Sequence, residues 1–84
     1  MAYDISYGGD DTTALRDFLE SLMGREFYAE ITAYGDYAYA GAIYTVDRDT
    51  NEVVLDEVDE DYIVIPDGKT FTVDLNDIAK LHIP

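Results

Sequence analysis

The chain has no cysteine and no tryptophan, only 2 prolines and 1 histidine, and 5 lysines and arginines against 19 aspartates and glutamates. Each shortage removes a class of explanation. Without cysteine there is neither a disulfide framework nor a thiolate metal site to reinforce a small core. The net charge of −14 repels phosphate at long range, and the basic residues Arg16, Arg25, Arg48, Lys69 and Lys80 stand singly, not as a stripe. Non-specific nucleic-acid binding and adsorption to anionic membranes both need clustered Lys and Arg. No apolar run approaches the ~20 residues of a membrane span, so no membrane partner is expected. Residues 1–10 carry neither a basic start nor an apolar core. They are not read as a secretory signal, and a cytoplasmic location is expected. His82 has no Gly-x-Ser-x-Gly, phosphate-cradling glycine loop or histidine metal spacing to accompany it. The expectation is therefore a protein that is not an enzyme and uses no cofactor.

What is present is the composition of a folded domain. The 84 residues are 48% hydrophobic and 13% aromatic, too apolar for a disordered tail and too few for two domains. A domain this small buries only about 60% of the surface its unfolded chain exposes, and oligomerisation is the staple still open to it.

Residues 1–12 read as an arm with a Gly8-Gly9 hinge, 13–24 as a helical segment and 25–84 as a sheet. Leu15, Phe18, Leu19 and Leu22 recur at helical spacing, Asp11, Thr12 or Thr13 can cap the start, and Gly24 suits a left-handed stop, which predicts a helix over 13–23. The period then drops to 2. Strands are predicted over 26–34, with Phe27, Ala29, Ile31 and Ala33 on one face, and over 37–47, with a bend at Gly41. A third is predicted over 52–58 and is extended by 62–65 beyond a bulge; two more follow over 70–75 and 78–83. Gly35-Asp36, 48–51 and 66–69 are the turns. Short connections make the strands antiparallel, and five bent strands in so short a stretch predict a partly open small barrel with the helix over one end.

Gly41, Ile43, Asp47, Asn51 and Val54 fall at the spacing Gly-x-hydrophobic-x-x-x-Asp-x-x-hydrophobic-Asn-x-x-Leu, with Thr50 in place of a hydrophobic residue. With the order of helix and strands over 13–83, the chain resembles the Sm-like family (Sm, LSm and Hfq-type proteins). The resemblance implies a mainly β fold, an N-terminal helix followed by a five-stranded, strongly bent small barrel. It also implies a homo-oligomeric ring, in which the fourth strand of one copy pairs with the fifth of the next. The expected subunit interface is then Phe71, Val73 and Leu75 on one margin and Ile78, Leu81 and Ile83 on the other. The family binds single-stranded RNA in the ring lumen, and Asp47 and Asn51 are the positions carried over for it. Asp49 stands where a stacking aromatic or histidine often sits, and 75–78 supplies no cation. A ring-forming scaffold or adaptor is therefore read first, RNA binding second, and an acidic nucleic-acid mimic that captures a basic protein third.

Three other patterns have plainer readings. Asp47-x-Asp49-x-Asn51 opens like a calcium loop, but Glu52 and Val58 occupy the positions that need Gly and Glu, which leaves a polar turn and no metal. Asp56, Glu57, Asp59, Glu60 and Asp61 read first as a solvated loop. Among 8 tyrosines, Tyr34, Tyr37, Tyr39 and Tyr44 gather around one hairpin, as contact residues or simply as good strand formers.

Overall fold

The computed structural model describes residues 3–6, 12–25, 27–35 and 37–84. The elements are β1 (Tyr3–Ser6), α1 (Thr13–Ser21), β2 (Tyr28–Ala33), β3 (Tyr37–Asp47), β4 (Glu52–Asp56), β5 (Thr70–Asp74), a 3₁₀ turn at Leu75–Asp77, and β6 (Ile78–Ile83). The strands pair antiparallel in one sheet of order β1-β6-β2-β3-β4-β5. The protein is mainly β: a short helix, then five antiparallel strands in one open sheet, with β1 added beside β6. The Gly8-Gly9 hinge, Asp11 as a cap and Asp36 of the hairpin turn lie outside the described residues.

Helical spacing places Leu15, Leu19 and Leu22 on one face of α1, where all three are buried and join the sheet's apolar residues in one core. The helix stops two residues short of the predicted end. The N–H groups of Leu22 and Met23 turn back to the carbonyls of Leu19 and Glu20, and Gly24 follows at φ +75°. Thr12 stands at the N-cap but makes no side-chain cap; its hydroxyl is engaged elsewhere.

On the sheet, alternation buries Ala29, Ile31 and Ala33 of β2, Val53 and Leu55 of β4, and Leu81 and Ile83 of β6. Phe27 continues that parity but is 39% exposed, because it precedes the strand. Ile78 is buried and Ala79 exposed. The β2–β6 register shifts between Thr32 and Ala33, so the face reverses there. The irregularity in β3 lies between Ile43 and Thr45, past Gly41, and the sulfur of Met23 accepts the N–H of Val46 beside it (3.0 Å).

Three expectations are corrected. Tyr3–Ser6, expected within a mobile arm, pairs with β6 in the register Tyr3↔Ile83 to Ser6↔Lys80. The sheet does not close into a barrel: β5 and β1 stand at its opposite ends. Residues 62–65 do not extend β4, which stops at Asp56. The chain instead doubles back, with a Val58↔Val64 bridge and an Ile65 N–H to Glu57 O bond. Carboxylates divert the backbone there. Asp59 Oδ1 accepts the N–H groups of Asp61 (2.8 Å) and Ile63 (3.1 Å), and Glu57 Oε1 accepts that of Lys69 (3.1 Å).

The doubled loop sets Tyr62 edge-on to Tyr28, ring centroids 4.7 Å apart at 64°. Partial burial, then the nearby charge of Glu30 and of Tyr62, holds the Tyr28 phenol above its ordinary range. The folded state thus keeps this proton more tightly than the unfolded chain does. The stability it contributes is whole below the unfolded phenol pKa of about 10 and declines as pH rises through the folded value. Tyr28→Phe is expected to flatten the alkaline limb of a plot of melting temperature against pH, while the neutral region changes little. An unchanged limb would dissociate Tyr28 from the effect. Among the described residues no helix is long and apolar enough to cross a membrane.

Candidate functional site

Two loops meet at one end of the sheet. The β3–β4 turn holds Asp47 and Asn51, and the Leu75 N–H of the 3₁₀ turn donates to Asn51 O (2.9 Å). Asp47 Oδ1 accepts the N–H groups of Asp49 (2.8 Å) and Thr50 (3.3 Å), which closes the turn on its own first residue. Asn51 adopts φ +58°, the left-handed conformation the turn demands, and its Nδ2 donates to Thr12 Oγ1 (3.3 Å). Asn51 therefore turns its side chain toward Thr12, whereas Asp47, which is exposed, spends one carboxylate oxygen on its own turn. Arg48 fastens the same turn to α1: its Nε lies 2.8 Å from Glu20 Oε1 and its Nη2 3.5 Å from Asp17 Oδ1. The hydrogen bond to Glu20 raises the guanidinium pKa further, so this clamp stays charged. Among the described residues no three His, Asp or Glu side chains gather as a metal site.

The predicted interface residues sit differently from one another. Val73, Leu75, Ile78, Leu81 and Ile83 are buried in the chain's own core, and Phe71 packs against it. Their side chains are committed within the subunit, because the same alternation that marks a sticky face also marks a core face. What a margin offers a neighbour is backbone. On β6 that backbone is covered by β1. On β5 the direction of each group follows from the bonds flanking it. Leu75 N–H donates to Asn51 O, and Glu57 N–H donates to Lys69 O, so the odd-numbered residues of β5 bond toward β4. Antiparallel ladders alternate, so Thr70, Thr72 and Asp74 point their N–H and C=O away from the sheet. Tyr34 Oη accepts the Asp74 N–H (3.3 Å), which leaves Thr70 and Thr72 as the open stretch.

The hairpin tyrosines divide into two kinds. Tyr34, Tyr39 and Phe71 form a chain of ring contacts, with centroids 6.2 and 6.4 Å apart, that runs from the end of β2 to β5. Tyr37 and Tyr44 are 68% and 62% exposed. Reading the sequence alone missed the Thr70–Thr72 backbone, the Arg48 clamp and the Tyr28–Tyr62 pair. The alternation of Thr70, Thr72 and Asp74 was visible, but which side of a strand is paired depends on its neighbours.

Comparison with protein-family models, with curated proteins and with solved structures finds no match to this chain.

Proposed function

We propose that the chain is a non-enzymatic assembly module, an Sm-like ring former that acts as a scaffold or adaptor. The observation that carries this reading is the open sheet: the fourth and fifth strands after the helix, β5 and β6, lie at opposite ends of the five-strand run. An unpaired strand margin on a small domain is a template for another chain. Since β1 already occupies β6, the neighbour's β5 adds to the outer side of β1. Unlike margins then meet head to tail, the contact type that closes into a ring when the rotation allows. Single-stranded RNA ranks behind assembly, because Asp47 spends a carboxylate oxygen on its own turn, Asn51 bonds to Thr12 and the net charge is −14.

Light scattering on the whole chain is expected to give one discrete multiple of 9.4 kDa. Thr72→Pro removes an outward donor without touching the β4 ladder. It is expected to yield a folded monomer, with its circular dichroism preserved. A wild type that stays monomeric at its solubility limit, or a broad filament-like distribution, would overturn the ring. Equal masses for wild type and Thr72→Pro would overturn the margin.

A further inference from the structure

We infer that β1 is the acceptor half of the contact between copies and that a single register joins it to a neighbour's β5, with Thr72 opposite Asp4 and Thr70 opposite Ser6; this rests on the assembly proposed above. Strand sense comes first. Six strands, each antiparallel to the next, leave β1 and β5 running opposite ways. A copy added in the same orientation therefore lays its β5 antiparallel to β1. Without β1 the end strands would be β6 and β5, which share one sense, and the join would be parallel, the slightly less stable pairing. Tyr3–Ser6 thus sets the kind of contact as well as covering an edge.

Backbone direction agrees with strand sense. The Ile43 N–H donates to Phe27 O (2.9 Å), one step beyond the Tyr28↔Ala42 pair, so the odd-numbered residues of β2 bond toward β3. Alternation then turns Glu30 and Thr32 toward His82 and Lys80 of β6, and turns Leu81 and Ile83 toward Ile5 and Tyr3. Asp4 and Ser6 are left with N–H and C=O pointing outward, as Thr70 and Thr72 are on β5. Both pairs also belong to the polar face. Asp4 and Ser6 stand opposite His82 and Lys80, between which Leu81 is buried, and Thr70 and Thr72 are exposed while Val73 is buried. The join therefore continues the apolar face, with Ile5 opposite Phe71 and Tyr3 opposite Val73. A slip of one residue would exchange the faces. A slip of two residues one way sets Asp4 against Asp74, like charges directly opposed, and Tyr34 Oη already holds the Asp74 N–H. A slip of two the other way sets Ser6 against Gly68, whose N–H is bonded to Ile65 O (3.0 Å).

The chain has no cysteine, so a pair of cysteines introduced at the contact reports on it alone. Ser6→Cys/Thr70→Cys and Ser6→Cys/Thr72→Cys are each oxidised as the whole chain, and the products are sized under denaturing, non-reducing conditions. β1 and β5 stand at opposite ends of the sheet, so a bridge joins two copies. Directly opposed residues have Cα atoms about 5.5 Å apart, within disulfide reach, whereas diagonal ones lie at about 7–8 Å, beyond it. Ser6→Cys/Thr70→Cys is expected to form linked copies several-fold faster than Ser6→Cys/Thr72→Cys. Asp4→Pro removes an outward donor and leaves the β6 ladder intact, so it is expected to be a folded monomer with its circular dichroism preserved. Equal or reversed crosslinking, with the wild type still one discrete multiple of 9.4 kDa, would overturn the register and spare the assembly. Asp4→Pro at the wild-type mass would overturn β1 as the acceptor. A monomeric wild type would remove the assembly itself, and this contact with it.

Discussion

Replacing Gly41 by alanine is expected to lower the melting temperature by roughly 10–20 °C, from about 2–3 kcal/mol of overpacking at about 4–8 °C per kcal/mol for a domain of this length. Gly41 lies in the middle of β3, paired with Ala29 of β2. A Cβ built there would stand 3.1 Å from Leu55 Cβ and 3.2 Å from the Asp56 carbonyl carbon, and would run into the Asp56 carbonyl oxygen. These are backbone atoms and a core side chain, so none can swing away. Relief requires β3 and β4 to separate where Ala42 pairs with Asp56 and Ile43 with Leu55, in the centre of the sheet. Gly24 makes the comparison sharp. An added Cβ there meets nothing within 4 Å, and only its φ of +75° resists substitution. Gly24→Ala is expected to cost about 1 kcal/mol. Thermal melts of the two variants, side by side, check the order. If Gly24→Ala proved the more damaging, the close approach of β3 to β4 would be refuted.

Leu19→Ala is expected to remove about 2–5 kcal/mol. A domain of 84 residues holds about 4–13 kcal/mol in all, so this one truncation takes from about a sixth of it to the whole. Leu19 is fully buried at the centre of the apolar face of α1, between Leu15 and Leu22. The helix is 9 residues long, too short to persist unless it is docked. Losing the central contact therefore undoes the helix as well as leaving a cavity. Undocking also removes the counterpart of Arg48, since Glu20 and Asp17 sit on the same helix, and frees Thr12 from Asn51. Chemical denaturation should show a lower midpoint. Faster amide exchange in the β3–β4 turn should accompany it. A midpoint equal to wild type would mean that the helix does not rest on the sheet.

Several elements were legible from residues alone because their information is local. The run Leu15, Phe18, Leu19, Leu22 has one period and Gly24 one conformational privilege, so the helix and the left-handed glycine beyond it could be read directly, though the helix itself ends at Ser21. Residues 37–47 and 78–83 became β3 and β6 with the predicted ends, although neither alternates strictly in burial. The predicted turn at 48–51 is present, and Asn51 takes the positive φ there that asparagine tolerates. Strand 52–58 was overrun by two residues, because the carboxylates of Glu57 and Asp59 capture backbone donors that apolar periodicity does not register.

What only the tertiary structure decided is which backbone meets which. Tyr3–Ser6 carries too short a pattern to announce a strand, and its partner lies at the other end of the chain. The margin at Thr70 and Thr72 points outward only because β4 takes the other side, and Tyr62 reaches Tyr28 only because residues 57–69 double back. Periodicity belongs to neighbours along the chain and survives in the sequence as a rhythm. Pairing belongs to neighbours in space, is chosen by burial and hydrogen bonding among distant segments, and leaves no rhythm to read.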